Sequence, residues 1–457
     1  MVRVAVISHC LAACLATVVA QDIPVQQEPI SDPGTYGTES LEIAHLYYDE
    51  WPTGIAVSNS GRMFSNYPPA LDPKNQQYTV AEIFPNNTER PYPNAEINSP
   101  PAGRINYTNY PPTGTSYTDH FIGVQSVVID PADRLWVLDT GRAATPDGTQ
   151  VPAAYGGPKL VGIDLTTNQI FQTIVFEPTA APADSYLNDV RFDLTIGSAG
   201  YAYITDSSSE GVNAIVTVDL STGNAWRHLM NTPYVRPTLG FVPIIWGEPI
   251  YTNGTTKPIG NINFGADGIT LSADGSTLYF STTGGRELYS IETALLRDDG
   301  PYSELIAQSS VKYHGQKGFS DGFESDSNGV IYVGNIEDNS IAMFDASTGT
   351  ISTLVRDPRF SWTDTMSVAA DGYLYFTENQ LWRLPSYYGG VERRVKPYVL
   401  FKVKLPNGGT KIQQAAPGGN GTQQAAPGGS GTQQSTAGGN GAVTQISDGQ
   451  PQAPTST

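Results

Sequence analysis

Residues 266–282 have the sequence ADGITLSADGSTLYFST. A polar pair opens the stretch, alternating apolar residues follow, an Asp-Gly turn interrupts them, and a second alternating run contains an aromatic residue. Alternation with a period of two is typical of β-strands with one buried face, and Asp-Gly accepts the backbone angles of a tight turn. The stretch therefore predicts a β-hairpin whose first strand begins with polar side chains.

The same pattern occurs six times along the chain. Each copy opens on a polar residue, continues through an apolar run, usually turns at a glycine, and ends in a strand with an aromatic residue. The six opening residues are Thr53, Gln125, Asn188, Asp267, Asp321 and Asp364. A second hairpin pattern, with Asp and a Ser/Thr-rich turn between two strands, begins at Gly162, Thr217 and Met343. One repeat is therefore two hairpins, or four strands, over roughly 60 residues.

Six repeats of four antiparallel strands predict an all-β fold, a six-bladed β-propeller that covers residues 38–405 as one domain. The segments LEIAHLYYDEW before the first copy and KPYVLFKVKL after the last both resemble strands. We expect them to share one blade and so to close the ring. Helical periodicity is scarce, and the best candidate for a short helix lies around Leu295.

The two ends of the chain are expected to lie outside the propeller. Residues 1–20 combine an early arginine, an apolar run of small residues and Val-Val-Ala before Gln21, which is typical of a secretory signal peptide. We therefore expect a secreted, extracellular protein with an N-terminal extension at 21–37. Residues 406–457 repeat a segment rich in Gly, Gln, Pro, Ser and Thr. This composition predicts a disordered tail, either a spacer or a segment that contacts a cell wall or matrix.

The amino-acid composition limits which kinds of site and partner the protein can have. Both cysteines, Cys10 and Cys14, lie in the predicted signal peptide, so the mature chain is expected to have no disulfide, thiol nucleophile or cysteine-based zinc site. The formal net charge of −19 disfavours nucleic acid and anionic membranes as partners. No second apolar run is long enough to span a membrane. Sequons predict N-glycosylation at Asn86, Asn106, Asn253 and Asn420.

The opening residues of the repeats are the candidate site. The first strand of each propeller blade lines the central channel, so we expect the six openers to form a ring at one mouth of the channel. Asp267, Asp321 and Asp364 would raise one another's pKa there, and their oxygen atoms suit Ca²⁺ or another hard divalent cation. The ring could also bind a small organic ligand, or be purely structural through hydrogen bonds to backbone amides and water.

Aromatic residues offer a second kind of ligand contact. Trp51, Trp136, Trp246 and Trp362 lie near predicted strands and would either stack on an organic ligand, with neighbouring acids holding its amine, or pack between blades. Packing is favoured for Trp136, which lies inside an alternating strand. The loop Arg90–Phe121 is long and rich in Pro and Tyr, as lids and binding loops often are. The sequence has no zinc-protease, nucleophile-elbow, P-loop or dinucleotide motif.

The segments GVQSVVIDPADRLWVLDTGR, YLNDVRFD and GADGITLSADGSTLYFST together resemble the major royal jelly protein/yellow family. The resemblance extends over almost the whole chain between the predicted signal peptide and the tail. It implies a secreted six-bladed propeller. Members of that family have diverse roles, which include binding of biogenic amines or other small ligands in the channel, pigmentation with conversion of dopachrome, nutrition and signalling.

At the blade starts, the chain has a more distant resemblance to gluconolactonase-like propellers, which hold a divalent metal with Glu, Asn and Asp and contact substrate with a further Asn. Asp321 matches the Asp position, and Asn188 resembles the substrate Asn. Asp267 replaces the metal Asn and Thr53 replaces the metal Glu, which puts the metal site in doubt, although Asp364 could contribute a ligand.

The sequence leaves three functions open. The favoured one is a propeller that binds a small amine or aromatic ligand at the channel mouth. The first alternative is a metal-dependent lactonase-like hydrolase, in which the metal polarises a carbonyl and Asp321 acts as base. The second alternative is a non-catalytic extracellular matrix or surface protein.

Overall fold

The computed structural model describes residues 41–254 and 258–415. The predicted signal peptide (1–20), the N-terminal extension (21–37) and the tail from residue 416 onward lie outside the described residues. The described residues form six four-stranded antiparallel sheets. The first strands of the six sheets contact one another in sequence order and the last contacts the first, which closes a ring. The prediction of a six-bladed propeller is therefore confirmed.

Each blade follows the chain from an inner to an outer strand. Blade 1 consists of Ala56–Val57, Met63–Asn66, Val80–Ile83 and Glu89–Pro91. Blade 2 consists of Val124–Ile129, Leu135–Thr140, Pro158–Asp164 and Gln169–Val175. Blade 3 consists of Leu187–Asp193, Tyr201–Asp206, Ala214–Asp219 and Ala225–His228.

The remaining blades repeat this order. Blade 4 consists of Ala266–Leu271, Thr277–Thr282, Glu287–Glu292 and Lys312–Gln316. Blade 5 consists of Phe323–Ser325, Val330–Asn335, Ser340–Asp345 and Thr350–Arg356. Blade 6 consists of Thr363–Val368, Tyr373–Glu378, Tyr398–Lys404 and, as its outermost strand, Leu41–Tyr47. The pairing of Leu41 with Val403 and of Tyr47 with Tyr398 joins the two ends of the propeller, as predicted.

Smaller elements connect the blades. Two-stranded sheets pair Ile105–Asn106 with Thr113–Gly114 and Ile244–Ile245 with Glu248–Pro249. Short 3₁₀ helices cover Ile336–Asp338, Leu381–Arg383, Pro385–Tyr387 and Pro406–Gly408. Among the described residues, no helix is long and apolar enough to cross a membrane.

Two α-helices lie between the last two strands of blade 4. Thr293–Arg297 is the helix predicted around Leu295, whereas Ser303–Ser310 was not predicted. The second helix has no apolar stripe facing the protein, because Leu305 and Ile306 are exposed and its buried residues are small. This helix is therefore stabilised by its contacts with neighbouring elements.

The core lies between the blades. Alternating side chains of blades 2 and 3 form one buried cluster, at the centre of which the Trp136 ring stacks on Phe192 at 5.1 Å. The indole N–H of Trp136 donates to Oδ2 of Asp130 at 2.8 Å. Because Trp136 is completely buried, the expectation that it packs between blades is confirmed.

Three of the four sequons lie within the described residues. Asn86 is exposed, Asn106 and Asn253 are partly buried, and Asn420 lies outside the described residues. Glycosylation of these asparagines stays a prediction.

The packed unit extends beyond the predicted boundary at residue 405. Residues 406–415 cross the channel mouth opposite the openers, where Lys411 and Gln414 line a small cavity of about 70 Å³ together with side chains of all six inner strands. Gln414 donates its backbone N–H to Pro131 at 3.0 Å and accepts the N–H of Leu194 at 2.6 Å. The start of the predicted tail is corrected accordingly, because these residues find hydrogen-bond partners on the propeller.

Replacing Lys411 and Gln414 together with alanine is expected to lower the free energy of unfolding by about 2 kcal/mol, since a buried ion pair and hydrogen bonds are lost. Lys411 Nζ lies 3.3 Å from Oδ1 of Asp133. Urea unfolding followed by fluorescence measures the change. Gln413→Ala, at an exposed neighbour, is the control, and equal stability of both variants would show that the segment does not support the propeller.

Candidate functional site

β-Bulges aim the opening residues into the channel. In blades 2, 3, 4 and 6 the pairing register of the first strand shifts directly at the opener. These shifts occur at Gln125, Asn188, Asp267 and Asp364. A bulge bends the strand and turns a side chain away from its regular alternation. The openers therefore point toward the axis, while the rest of each strand packs against its neighbours.

Glycine next to two of the openers brings the inner strands close together. A Cβ atom on Gly268 would lie 2.5 Å from the carbonyl oxygen of Asp321, and one on Gly322 would lie 2.6 Å from that of Asp364. The backbone N–H of Gly322 donates to the same Asp364 oxygen at 2.8 Å. Although Asp-Gly is a common turn pair, here it allows three consecutive blades to place their aspartates side by side.

The openers form the floor of a cavity of about 1120 Å³ at one mouth of the channel. The five openers Gln125, Asn188, Asp267, Asp321 and Asp364 line it. The cavity is slightly larger than the pockets that usually hold drug-sized ligands, which measure about 300–1,000 Å³. The structure thus brings together five of the six predicted site residues.

Thr53 is the exception, and its predicted place in the ring is wrong. The blade 1 inner strand is only two residues long, and Thr53 precedes it. Its hydroxyl accepts a hydrogen bond from Nδ2 of Asn66 at 2.8 Å, inside the blade. The residue is completely buried and does not line the cavity.

A continuous series of hydrogen bonds crosses the floor. The hydroxyl of Tyr186 donates to Oε1 of Gln125 at 2.6 Å, and Nδ2 of Asn188 donates to Oδ2 of Asp267 at 2.7 Å. Asp321 is the neighbour of Asp267 on the floor, and the interaction of the two carboxyl groups raises the pKa of Asp267 further. Asp321 in turn accepts the indole N–H of Trp362 at 2.6 Å.

Asp364 lies beside this series. Its Oδ2 accepts a hydrogen bond from Nδ2 of Asn379 at 2.6 Å. Tyr186, Trp362 and Asn379 were not among the predicted ring residues. The first two had a signal in the sequence, because Tyr186 precedes Asn188 by two residues and so faces the same side, and Trp362 comes two residues before Asp364.

Burial raises the pKa of all three carboxyl groups on the floor. Asp267, Asp321 and Asp364 are 5%, 7% and 5% exposed. Desolvation raises the pKa of each well above the usual value for aspartate, and the negative charge of a neighbouring aspartate raises each pKa further. The floor therefore holds protons at a pH where exposed aspartates have lost them.

One lysine lies near the floor. Nζ of Lys317 donates to Oγ of Ser320 at 2.8 Å and to the carbonyl of Gly318 at 3.0 Å. Burial lowers the pKa of Lys317 to about 7, against the attraction of Glu287, Asp267 and Asp321. It compensates the floor's charge only in part, because near neutral pH it is protonated in only part of the molecules.

The three aspartates do not form a metal centre. Within residues 41–254 and 258–415, no group of three or more His, Cys, Asp or Glu side chains is placed to hold a metal ion. One oxygen of each aspartate already accepts a hydrogen bond, from Asn188, Trp362 or Asn379. The expectation of a Ca²⁺ or lactonase-type metal site on these residues does not fit the geometry.

The cavity walls come from long connections between blades. The described residues of the connection between blades 3 and 4, 231–254 and 258–264, line much of the cavity, and some of them contact residues far away in sequence. The N–H of Asn253, for example, donates to the carbonyl of Ser386 at 2.7 Å. The loop Arg90–Phe121, expected to be a lid or binding loop, lines neither cavity described above and packs through Arg104, which donates to the carbonyls of Phe121 and Ile122.

The tryptophans divide by environment. Trp362 lines the cavity, and Trp51 is buried with its indole N–H donated to the carbonyl of Asn379 at 2.7 Å. Trp246 is 49% exposed on the 231–264 segment. Of the four tryptophans proposed to stack on a ligand, Trp362 is the one in contact with the cavity.

Two solved structures are similar in chain path at low identity. A gluconolactonase from Xanthomonas campestris is 14% identical, with a TM-score of 0.43, and the match covers 80% of this chain and 89% of that one. The calcium-binding protein regucalcin from Agrobacterium tumefaciens is 12% identical, with a TM-score of 0.42, and the match covers 82% and 97%. These likenesses are too distant to bear on the chemistry of the site.

Curated relatives are similar in sequence. The yellow-related salivary protein M10 of Phlebotomus duboscqi is 26% identical over 58% of this chain and 60% of its own length. Major royal jelly protein 1 of Apis mellifera is 26% identical over 48% of each chain. Protein yellow of Drosophila erecta is 25% identical over 38% of this chain and 30% of its own length. The chain thus spans 60% or less of the relatives it matches.

Two family models match the chain. The yeast PIR protein repeat matches residues 441–457, beyond the described part. The model described as major royal jelly protein matches residues 122–410, well over half of the chain, and this range includes all five openers on the cavity floor. The chain belongs to the major royal jelly protein family.

Proposed function

We propose that this protein is secreted and binds a small organic amine in the cavity, with the ammonium group on Asp267, Asp321 and Asp364. The observation that carries the proposal is the convergence of three buried carboxyl groups on one cavity floor. The pKa of each group is raised because its charge lacks water and a full counter-charge. A bound cation supplies that counter-charge.

The hydrogen-bond pattern favours an ammonium ion over a metal ion. A primary ammonium donates three hydrogen bonds and needs no fixed coordination shell. The floor offers acceptor oxygens on three aspartates that already accept from neighbouring amide or indole groups, so each has limited remaining capacity. Aromatic side chains of Trp362, Tyr186 and Tyr387 line the same space and suit an aromatic or apolar body on the ligand.

Tyramine is the probe for this proposal, and its affinity is expected to rise with pH between about 5.5 and 8. The amine stays a cation in this range, as lysine-type amines do. The floor carboxyl groups have raised pKa values, so they lose protons as the pH rises and attract the cation more strongly. Titration calorimetry in buffers of different ionisation enthalpy should also show a net release of protons on binding.

An affinity that is independent of pH, or proton uptake on binding, would contradict this placement of the ammonium group. Phenol-containing analogues without the amine serve as the control, since they keep the ring and lack the charge. Absence of binding by every amine tested would remove the proposed function.

The hydrolase alternative has less support, because its metal site does not fit the floor. The surface-protein alternative rests on residues 406–457, of which the structure describes only the first ten. Contact of that tail with a cell wall or matrix stays a prediction.

A further inference from the structure

The cavity wall contains one cation with no carboxylate partner. Arg236 lies in the segment that covers the cavity, and its side chain is exposed. Within residues 41–254 and 258–415, no carboxylate lies within ion-pair distance of it. Arginine provides five N–H donors in a planar fork that matches a carboxylate or phosphate group.

The other charged residues of the wall are already satisfied. Arg394 pairs with Asp72 at 2.7 Å and with Glu392 at 2.6 Å, and Lys74 pairs with Glu392 at 3.0 Å. Glu210 pairs with Arg142 at 2.9 Å. Asp147 accepts hydrogen bonds from Thr145 and Thr149 within its own turn. Apart from the solvent-exposed Asp147, the described charges of the cavity that have no ion-pair partner are therefore the acidic floor and Arg236, which are of opposite sign.

Backbone contacts hold the segment that carries Arg236 next to the start of the inner strand of blade 4. The carbonyl of Val235 accepts the N–H of Ala266, the residue before Asp267, at 2.8 Å. The N–H of Thr238 donates to the carbonyl of Gly284 at 2.8 Å, and the N–H of Gly284 donates to the carbonyl of Phe264 at 3.0 Å. These contacts anchor the segment of Arg236 on blade 4, the same blade that supplies Asp267.

We propose that the ligand is amphoteric, with a primary ammonium group on the acidic floor, an aromatic or apolar body in the cavity, and a carboxylate bound by Arg236. This inference rests on the proposed function and specifies the ligand class. The volume of about 1120 Å³ supports it, because a single-ring amine leaves much of such a cavity empty. A longer molecule that satisfies both charges fills more of it.

Two probes isolate the role of the carboxylate: 4-(2-aminoethyl)phenoxyacetate and its primary amide. They share the ammonium group, the ring and the length, and they differ only in the negative charge at the far end. The wild-type protein is expected to bind the acid about fivefold more tightly than the amide, as one partly solvated arginine–carboxylate pair provides. Arg236→Gln should bring the affinity for the acid down to that for the amide.

Lys74→Gln is the matched control, because it also removes one wall cation but one that Glu392 already pairs. The preference for the acid should persist in that variant. Equal affinity of the wild type for acid and amide, with tyramine still bound, would overturn the role of Arg236 and leave amine binding intact. Failure of tyramine and both probes to bind would overturn the proposed function together with this inference.

Discussion

Replacing Asp364 with asparagine is expected to weaken tyramine binding about a hundredfold. Removal of one partner from a buried charge pair costs about 3 kcal/mol or more, because the other charge stays without compensation. Asp364 is the best of the three aspartates for this test. Asp267 and Asp321 interact directly, so when one of them is neutralised the other can still carry the negative charge.

Asp147→Asn is the control for Asp364→Asn, since Asp147 lines the same cavity at its exposed rim. Loss of that solvated charge should change tyramine affinity by less than about twofold. If both variants lost affinity equally, the overall negative potential of the protein would explain binding, and the buried floor would have no special part.

Asp364→Asn should also increase the stability of the ligand-free protein, and this increase should grow as the pH rises. Burial raises the pKa of Asp364 above its ordinary value of 3.8, so the folded state binds more protons than the unfolded state from about pH 4 upward. A raised pKa means that stability falls as the pH increases through this range. Asparagine does not ionise, and its carbonyl can still accept the hydrogen bond of Asn379.

Urea unfolding at pH 4 and pH 8 measures this effect. Wild type and Asp364→Asn should be nearly equal at pH 4, and the variant should be about 1 kcal/mol more stable at pH 8, as is common when a functional charge is removed. A variant that is less stable at pH 8 would show that the Asp364 carboxylate is a structural group.

Trp136→Ala is expected to lower the free energy of unfolding by about 3–5 kcal/mol, the usual cost of removing a fully buried aromatic ring. The ring lies between blades 2 and 3, stacked on Phe192 and edge-on to Phe171 at 5.2 Å. Its loss leaves a cavity and removes the indole donor from Asp130. Equilibrium unfolding in urea provides the measurement.

Trp246→Ala deletes the same side chain from an exposed place and should cost less than about 1 kcal/mol. If the two tryptophan variants lost stability equally, packing between blades would not be the main source of stability in this ring. Each blade would then be held chiefly by its own hydrogen bonds.

The six-bladed ring could be predicted because its signals are local and repeated. Alternation, an Asp-Gly or Asn-Gly turn and an aromatic strand recur within each repeat, as at Gly275, Gly329 and Gly372, which all have positive φ. The cavity wall could not be predicted in this way. The sequence from 231 to 264 has no periodic pattern, and the path of its first part, 231–254, depends on contacts with Ser386 and Phe319, more than 50 residues away.

The sequence by itself determined that polar residues open each repeat and that a closed propeller brings these openers toward one axis. Only the tertiary structure decided which of them meet. A bulge turns Asp364 into the cavity, whereas Thr53 precedes a two-residue strand and bonds to Asn66. The physical reason is that strand periodicity acts within a blade, while a contact such as that of Asn188 with Asp267 depends on how neighbouring blades pack.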